Sequence, residues 1–490
     1  MRSKLATLFD REQPSQLLFN ALALLTLLSI FLGIASEMYF LAGLPAAIIV
    51  AYLAIVDFRK LFFLLLVCVP LSTEIVLPNG FGTDLPTEPL MVGLMLIYFL
   101  YVLKNGAQLS ARFLRHPITL LLLLHFGWIL VTTALSDLPF VSIKFSLAKT
   151  WYITVFYFMA GSLLKTVDDI KAFFWAIFIP LLATVLITLA RHAAIGFSFE
   201  EVHTVFYPFH RNHVNYAGIL ALFFPITVLA TQWYKRGSFI RNLLFISLAI
   251  FFVAIYFSFT RAAYVAIVIA LGYYFIIRMR LTKPLVVLTV LGIIFGSSYM
   301  VYQNRYLDYA PNFERTITHT EFNNLIEATY QMEDISTMER VYRWVAGGHM
   351  VATNPLFGFG PGNFVNFYKS HTVTDFQTYV SDNEDLSGIH SYYLMTTVEQ
   401  GIVGLAIFLL LVFYTLIKGE QVYHQTTNLE RRRVVLMMLL ALIVIDAFQI
   451  INDLLETDKI GPFFFLTMAV LVNCDLTNRS ESVKIEEEKA

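Results

Sequence analysis

The chain has 490 residues, 58% of them hydrophobic and only 14% charged, with a mean hydropathy of +0.68. Soluble domains carry roughly 45–50% apolar and about 25% charged residues, so the composition excludes an ordinary water-soluble protein. A formal net charge of -1 excludes a strongly basic nucleic-acid binder, and Cys68 and Cys474 supply neither a disulfide framework nor a zinc spacing.

Arg2, Lys4, Asp10, Arg11 and Glu12 precede the first apolar run, which is long and lacks a small-residue cleavage pattern. It reads as a first span and not as a removed signal peptide. Runs near 20 apolar residues suit helices that cross the hydrocarbon layer. They fall at 17–35, 39–56, 61–78, 89–103, 117–135, 146–164, 172–190, 213–232, 242–259, 262–277, 284–301, 391–416, 434–450 and 460–473. The expectation is an all-α polytopic integral membrane protein of about 12–14 transmembrane helices, with one large extracytoplasmic loop segment containing short helices. Residues 1–301 form an N-terminal membrane domain of about 11 spans. Residues 302–390 form the extracytoplasmic loop domain, 391–473 the C-terminal spans, and 474–490 a solvated cytoplasmic tail ending in Glu486, Glu487, Glu488 and Lys489. No internal repeat is visible.

Basic residues orient this array, because cytoplasmic loops carry an excess of lysine and arginine. Arg59 and Lys60, then Lys104, Arg112 and Arg115, then Lys235, Arg236 and Arg241 follow even-numbered spans. Arg278, Arg280 and Lys283, and later Lys418, Arg431, Arg432 and Arg433, continue the pattern. Most odd-numbered loops are acidic. The N-terminus is therefore expected in the cytoplasm, with the 191–212 loop, the connection at Arg261 and the 302–390 segment outside.

The outer connections collect Arg211, Arg261, Arg340, Arg343 and His390. Arg261 is wedged between two apolar runs, where a charge is expensive unless it is paired or lines a cavity. It either snorkels to the headgroups or clamps a phosphate, which guanidinium binds in bidentate fashion. Arg340, Arg343, Trp344 and Gly347 have the spacing of one helical face. That face binds substrate, or belongs to a solvated helix in which Glu339 pairs with Arg343. Trp344 suits sugar stacking or interface anchoring. His390 precedes a span and, on a helix continued back from it, shares a face with Thr397 and Gly401. An imidazole there is suited to taking a proton from an acceptor hydroxyl, or is a satisfied interfacial residue.

Residues 354–363, rich in glycine and proline, fail the G-x-G-x-x-G spacing and read as a rigid turn folding the outer segment back. His203, His210 and His213 lack a short metal-ligand spacing, and no metal is expected. Glu74, Lys149, Glu399 and Asp446 stand in or beside spans as relay or packing residues. No G-x-x-x-x-G-K-[ST] loop for nucleotide occurs.

These residues resemble the O-antigen ligase and polymerase superfamily, which includes bacterial protein O-oligosaccharyltransferases. His390-Ser391, nine residues, then Gly401-x-x-Gly404 is similar to the ligase pattern H-[NSQ]-x9-G-x-x-G. Arg340-x3-Trp344, Asn354-Pro355 and Gly358-x-Gly360-x-Gly362-Asn363 resemble the family's outer-loop block, and Thr260-Arg261-Ala262 its Ser-Arg-Gly or Ser-Arg-Ala step. The likeness covers residues from 200 to 420; members commonly have about 12 spans, fewer than the runs found here.

The resemblance implies a metal-independent, inverting glycosyltransferase without cofactor, placed in the bacterial inner membrane with a periplasmic active site. Its donor is an undecaprenyl-diphosphate-linked glycan. The acceptor is lipid A–core in a ligase, another lipid-linked glycan in a polymerase, or a protein hydroxyl in an oligosaccharyltransferase. Carried over, Arg261 and Arg340 contact the diphosphate and His390 activates the acceptor. Arg211, Arg343 and Trp344 are substrate-binding candidates, membrane lipid is the surrounding partner, and no nucleic acid is expected. A polysaccharide or lipid transporter is the competing class, although transporter charges gather near the midplane and internal halves are usual.

Overall fold

The computed structural model describes residues 14–36, 44–76, 82–106, 109–199, 201–303, 305, 335–372 and 387–487. The chain divides into two compact units, Met1–Leu65 and Leu66–Ala490. The first holds α1 (Pro14–Ala35), α2 (Leu44–Val56) and the start of α3 (Phe58–Cys68). α1 packs against α2.

The second unit begins with a hairpin. Strands β1 (Thr73–Val76) and β2 (Gly82–Leu85) pair antiparallel, with Thr73 opposite Leu85. The helices that follow are α4 (Thr87–Asn105), α5 (Pro117–Ala134), α6 (Pro139–Tyr152), α7 (Val167–Ala194), α8 (His213–Ala230), α9 (Phe239–Tyr256), α10 (Arg261–Arg278) and α11 (Thr282–Val301). Then come α12 (Ile335–Thr353), α13 (Tyr392–Gln425), α14 (Leu429–Ile451) and α15 (Gly461–Glu487). Side-chain caps set several starts. Thr166 and Asp169 form a reciprocal capping box on α7, and Asn212, Ser238 and Asn428 accept from amide groups in the first turns of α8, α9 and α14. α14 lies at the centre, against α8, α10, α13 and α15.

Among the described residues nine helices are long and apolar enough to cross a membrane: α4, α5, α7 to α11, α13 and α14. The chain is an all-α polytopic membrane protein. These nine match nine of the expected runs. The expected run 146–164 is α6 continued through a π-helical turn, Ile153–Met159, to Leu163, and 460–473 is the apolar half of α15.

Two expectations are corrected. The run 61–78 is not one span: α3 gives way to a single turn at Val69–Leu71 and then to β1. Pro70 lacks an N–H to continue the ladder, and the Lys459 ammonium donates to the carbonyls of Ser72 (2.8 Å) and Val69 (3.2 Å), completing the exit. The boundary expected at 473/474 has no counterpart, because α15 runs unbroken through Cys474 to Glu487. Asp475 there is buried among His116 Nε2 (3.1 Å), Lys418 Nζ (3.1 Å) and Arg479 Nη2 (2.7 Å), so the start of the expected tail is packed. Of the expected loop domain, residues 304, 306–334 and 373–386 lie outside the described residues, as do 488–490 of the tail.

Contacts sort the connections of the second unit into two ends. At one end Lys171 meets Glu430 (3.3 Å), Arg433 donates to the Gln232 carbonyl (3.1 Å), Thr282 donates to Glu420 (2.6 Å), and Asp475 joins His116 to Lys418. At the other end Ser142 donates to the Pro361 carbonyl (2.8 Å), Thr260 to the His213 carbonyl (3.2 Å), and the Tyr392 amide to the Asn452 carbonyl (3.1 Å). The first end carries the basic loops. His390 lies at the other.

Candidate functional site

Residues 388–392 form a strap held at successive backbone groups. Arg343 Nη1 donates to the Gly388 carbonyl (2.8 Å), Trp344 Nε1 to the Ile389 carbonyl (3.1 Å), and the Tyr392 amide to Asn452. Ile389 is fully buried and fits over Gly347, where a side chain would strike it. Arg343, Trp344 and Gly347 thus act from one face of α12, as their spacing predicts. Gly388 lies against Asp453, which leaves no room for a β-carbon.

His390 itself adopts φ +56°, a left-handed conformation that costs an L-residue roughly 1 kcal/mol or more. The expectation that it shares a helical face with Thr397 and Gly401 is therefore corrected. α13 begins at Tyr392 with Ser391 as N-cap, and the strap turns the imidazole away from the helix line. The three pins on the strap hold that strained conformation.

The imidazole lies beside a charge pair. Arg343 Nη2 meets Glu339 Oε1 at 2.7 Å, and Arg343 Nη1 is 3.2 Å from His390 Nε2. Arginine has no acceptor to offer, so this contact needs a lone pair on Nε2 and assigns the proton of the neutral ring to Nδ1. Ser387 Oγ is 3.3 Å from the same nitrogen, and Glu339 Oε1 is 3.8 Å away. Burial pushes the Glu339 carboxyl up, but the His390 contact and the Arg343 and Arg340 charges outweigh it and hold it below the usual range. A proton taken up at Nε2 would face that carboxylate. Arg343 is only 2% exposed and is occupied by Glu339, Gly388 and His390, which makes it a support for His390. Arg340, half-buried, lies one turn earlier on α12.

Behind the strap, α13 is broken at Gly401 (φ +71°), where a β-carbon would collide with the Leu356 carbonyl. The break frees backbone groups, and the glycine-rich turn takes them up. Phe359 N donates to the Val398 carbonyl (3.0 Å), Gly360 N to the Glu399 carbonyl (2.9 Å), and Ile402 N to the Pro355 carbonyl (2.8 Å). Trp128 Nε1 takes the Gln400 carbonyl (2.9 Å), and the ring stacks on Phe357. Asn363 Nδ2 donates to the Phe359 carbonyl (2.9 Å) and to Ser136 Oγ (2.8 Å), and Glu399 Oε1 accepts from Phe364 N (3.1 Å). The turn reading holds, and its purpose is to satisfy the break.

Arg261 is the first residue of α10, whose opening N–H groups have no side-chain cap. Arg211 has an exposed side chain 3.7 Å from Glu74. It lines a cavity of about 240 Å³ with Glu74, Asp84, Glu88, Glu456 and Asp458. Burial drives the Asp458 carboxyl well up and pulls the Lys459 ammonium down to about 8. A diphosphate is poorly served by so many carboxylates, which sets Arg211 apart from Arg261. Among the described residues no group of three or more His, Cys, Asp or Glu could hold a metal ion. Glu339, Asp453 and Trp128 escape a reading of the sequence as site-building residues; only the Glu339 and Arg343 spacing signals a pair.

A many-helix membrane protein with a polar histidine site at one end is the class that fold and site define. Residues 245–409 match the family model described as O-antigen ligase, so the chain carries a domain of that family. The match takes in Arg261, Arg340, Arg343, Trp344, His390, Gly401 and Gly404, and leaves Arg211 outside. No curated protein matches the chain.

Proposed function

We propose that this protein transfers a glycan from undecaprenyl diphosphate to an acceptor hydroxyl at the periplasmic face of the inner membrane, as an O-antigen ligase with lipid A–core as acceptor. The observation that carries the reading is His390 Nε2, an acceptor held 3.2 Å from buried Arg343 and beside Glu339. With the acceptor hydroxyl in place of the Arg343 N–H on Nε2, His390 removes the acceptor proton there as the acceptor oxygen attacks the anomeric carbon from the side opposite the diphosphate, which inverts that carbon. The imidazolium then faces Glu339. Arg340 and Arg261 take the charge developing on the departing diphosphate, and the uncapped start of α10 adds its N–H groups to that side. Arg343 is a positioning residue. Trp344 spends its N–H on Ile389 and leaves its ring for sugar contact. The basic end lies in the cytoplasm on this reading.

The test is incubation of purified protein with an undecaprenyl-diphosphate glycan and lipid A–core, without ATP. Free undecaprenyl diphosphate and glycosylated acceptor are expected from the wild type, and loss of at least about 100-fold from His390→Ala and Arg340→Ala. Product only with a second lipid-linked glycan or a protein acceptor would move the assignment to a polymerase or an oligosaccharyltransferase. An intact donor with every acceptor, from folded protein, would reject transfer.

A further inference from the structure

At the end opposite His390, a cavity of about 550 Å³ opens between α8, α10 and α14. Its walls are apolar, formed by Val228, Leu229, Ile267, Leu271, Leu436 and Leu440. Three cations edge it. Arg278 Nη1 donates to Tyr274 Oη (2.9 Å), the Arg432 guanidinium stacks over Tyr423 at 4.6 Å from the ring centre, and Arg433 Nη1 donates to the Gln232 carbonyl (3.1 Å). Neighbouring charges behave differently. Arg431 is bound by Glu481 through both nitrogens (2.9 and 2.7 Å), and Glu430 is taken by Lys171. Among the described residues none of Arg278, Arg432 and Arg433 has a carboxylate partner. Arg432 Nε is buried with no hydrogen-bond partner.

A guanidinium beside an apolar membrane cleft is costly unless an anion compensates it. We propose that this cavity binds an anionic phospholipid of the leaflet at the basic end, one acyl chain between α8, α10 and α14 and the phosphate among Arg278, Arg432 and Arg433. The opposite ends of these helices carry His213, Arg261 and Asn452, so the lipid braces the helices that frame the histidine site.

The full chain, stripped of lipid in a neutral detergent, is given phosphatidylglycerol, phosphatidylcholine or soluble sn-glycerol 3-phosphate. Bound lipid is read by native mass spectrometry and stability by thermal unfolding. Phosphatidylglycerol should bind and stabilise at concentrations at least about tenfold lower than phosphatidylcholine. The triple variant Arg278→Gln, Arg432→Gln, Arg433→Gln should lose that preference while unfolding in detergent alone at the wild-type temperature. Equal binding of both lipids, or an unchanged preference in the variant, would overturn the proposal. Stabilisation by glycerol 3-phosphate alone would show a phosphate site without a lipid, and dimers formed without lipid uptake would show a second copy as the occupant. If the variant does not fold, lipid co-extracted with wild type decides: enrichment of anionic species over the source membrane supports the site, and bulk composition rejects it.

Discussion

Arg343 shows how much a single side chain sets around the histidine. Its contacts fix the strap at Gly388, orient Glu339, and leave the Nε2 lone pair of His390 directed at a donor. Arg343→Lys keeps the charge but loses the fork, so His390 should shift by about 1 Å, which costs roughly 100-fold in kcat with KM little changed. Arg343→Ala should in addition destabilise the fold by about 3 kcal/mol, because it leaves a half-buried carboxylate unpaired. Steady-state kinetics and thermal unfolding separate the two effects. The pairing of Glu339 with Arg343 was legible from i, i+4 spacing. The strap conformation was not, because it depends on Asn452 and Asp453, more than sixty positions away in sequence.

At the scale of elements, glycine-rich turn and broken helix form one unit. Gly401→Ala meets both a forbidden φ and the Leu356 carbonyl, and should destabilise by at least about 2 kcal/mol while undocking the turn. Faster proteolysis within 354–364 and a lower unfolding temperature would report it; unchanged values would reject the account. Apolar length made most helices readable, and glycine content made the turn readable. Periodicity carries no sign that the helix breaks at Gly401, where the Leu356 carbonyl approaches. The hairpin after α3 was missed because Thr73 to Val76 prolong an apolar run, and its exit depends on Lys459.

At the scale of the whole molecule, charge pattern and geometry divide the connections alike, so orientation of the loops relative to one another was legible. The packed start of the expected tail was not. Burial pushes the Asp475 carboxyl up, but His116, Lys418 and Arg479 together depress it from 3.8 to about 2. A depressed carboxylate stabilises above its unfolded pKa, and the benefit vanishes as pH falls through the folded value. That difference corresponds to roughly 2 kcal/mol. Asp475→Asn should therefore unfold at a lower temperature than wild type at pH 7. The gap should narrow below about pH 4 and close near pH 2, as thermal unfolding by intrinsic fluorescence would show.

The exchange of backbone bonds at Gly401 also has a dynamic consequence. Nine residues of α13 before the break and the body of the helix after it are joined by a hinge that the turn covers with three backbone hydrogen bonds, beside the one from Trp128. Bending there has to strip the amides of Phe359, Gly360 and Ile402 together. In hydrogen–deuterium exchange these three should open at one rate, slower than the surrounding loop, and Gly401→Ala should release all three at once.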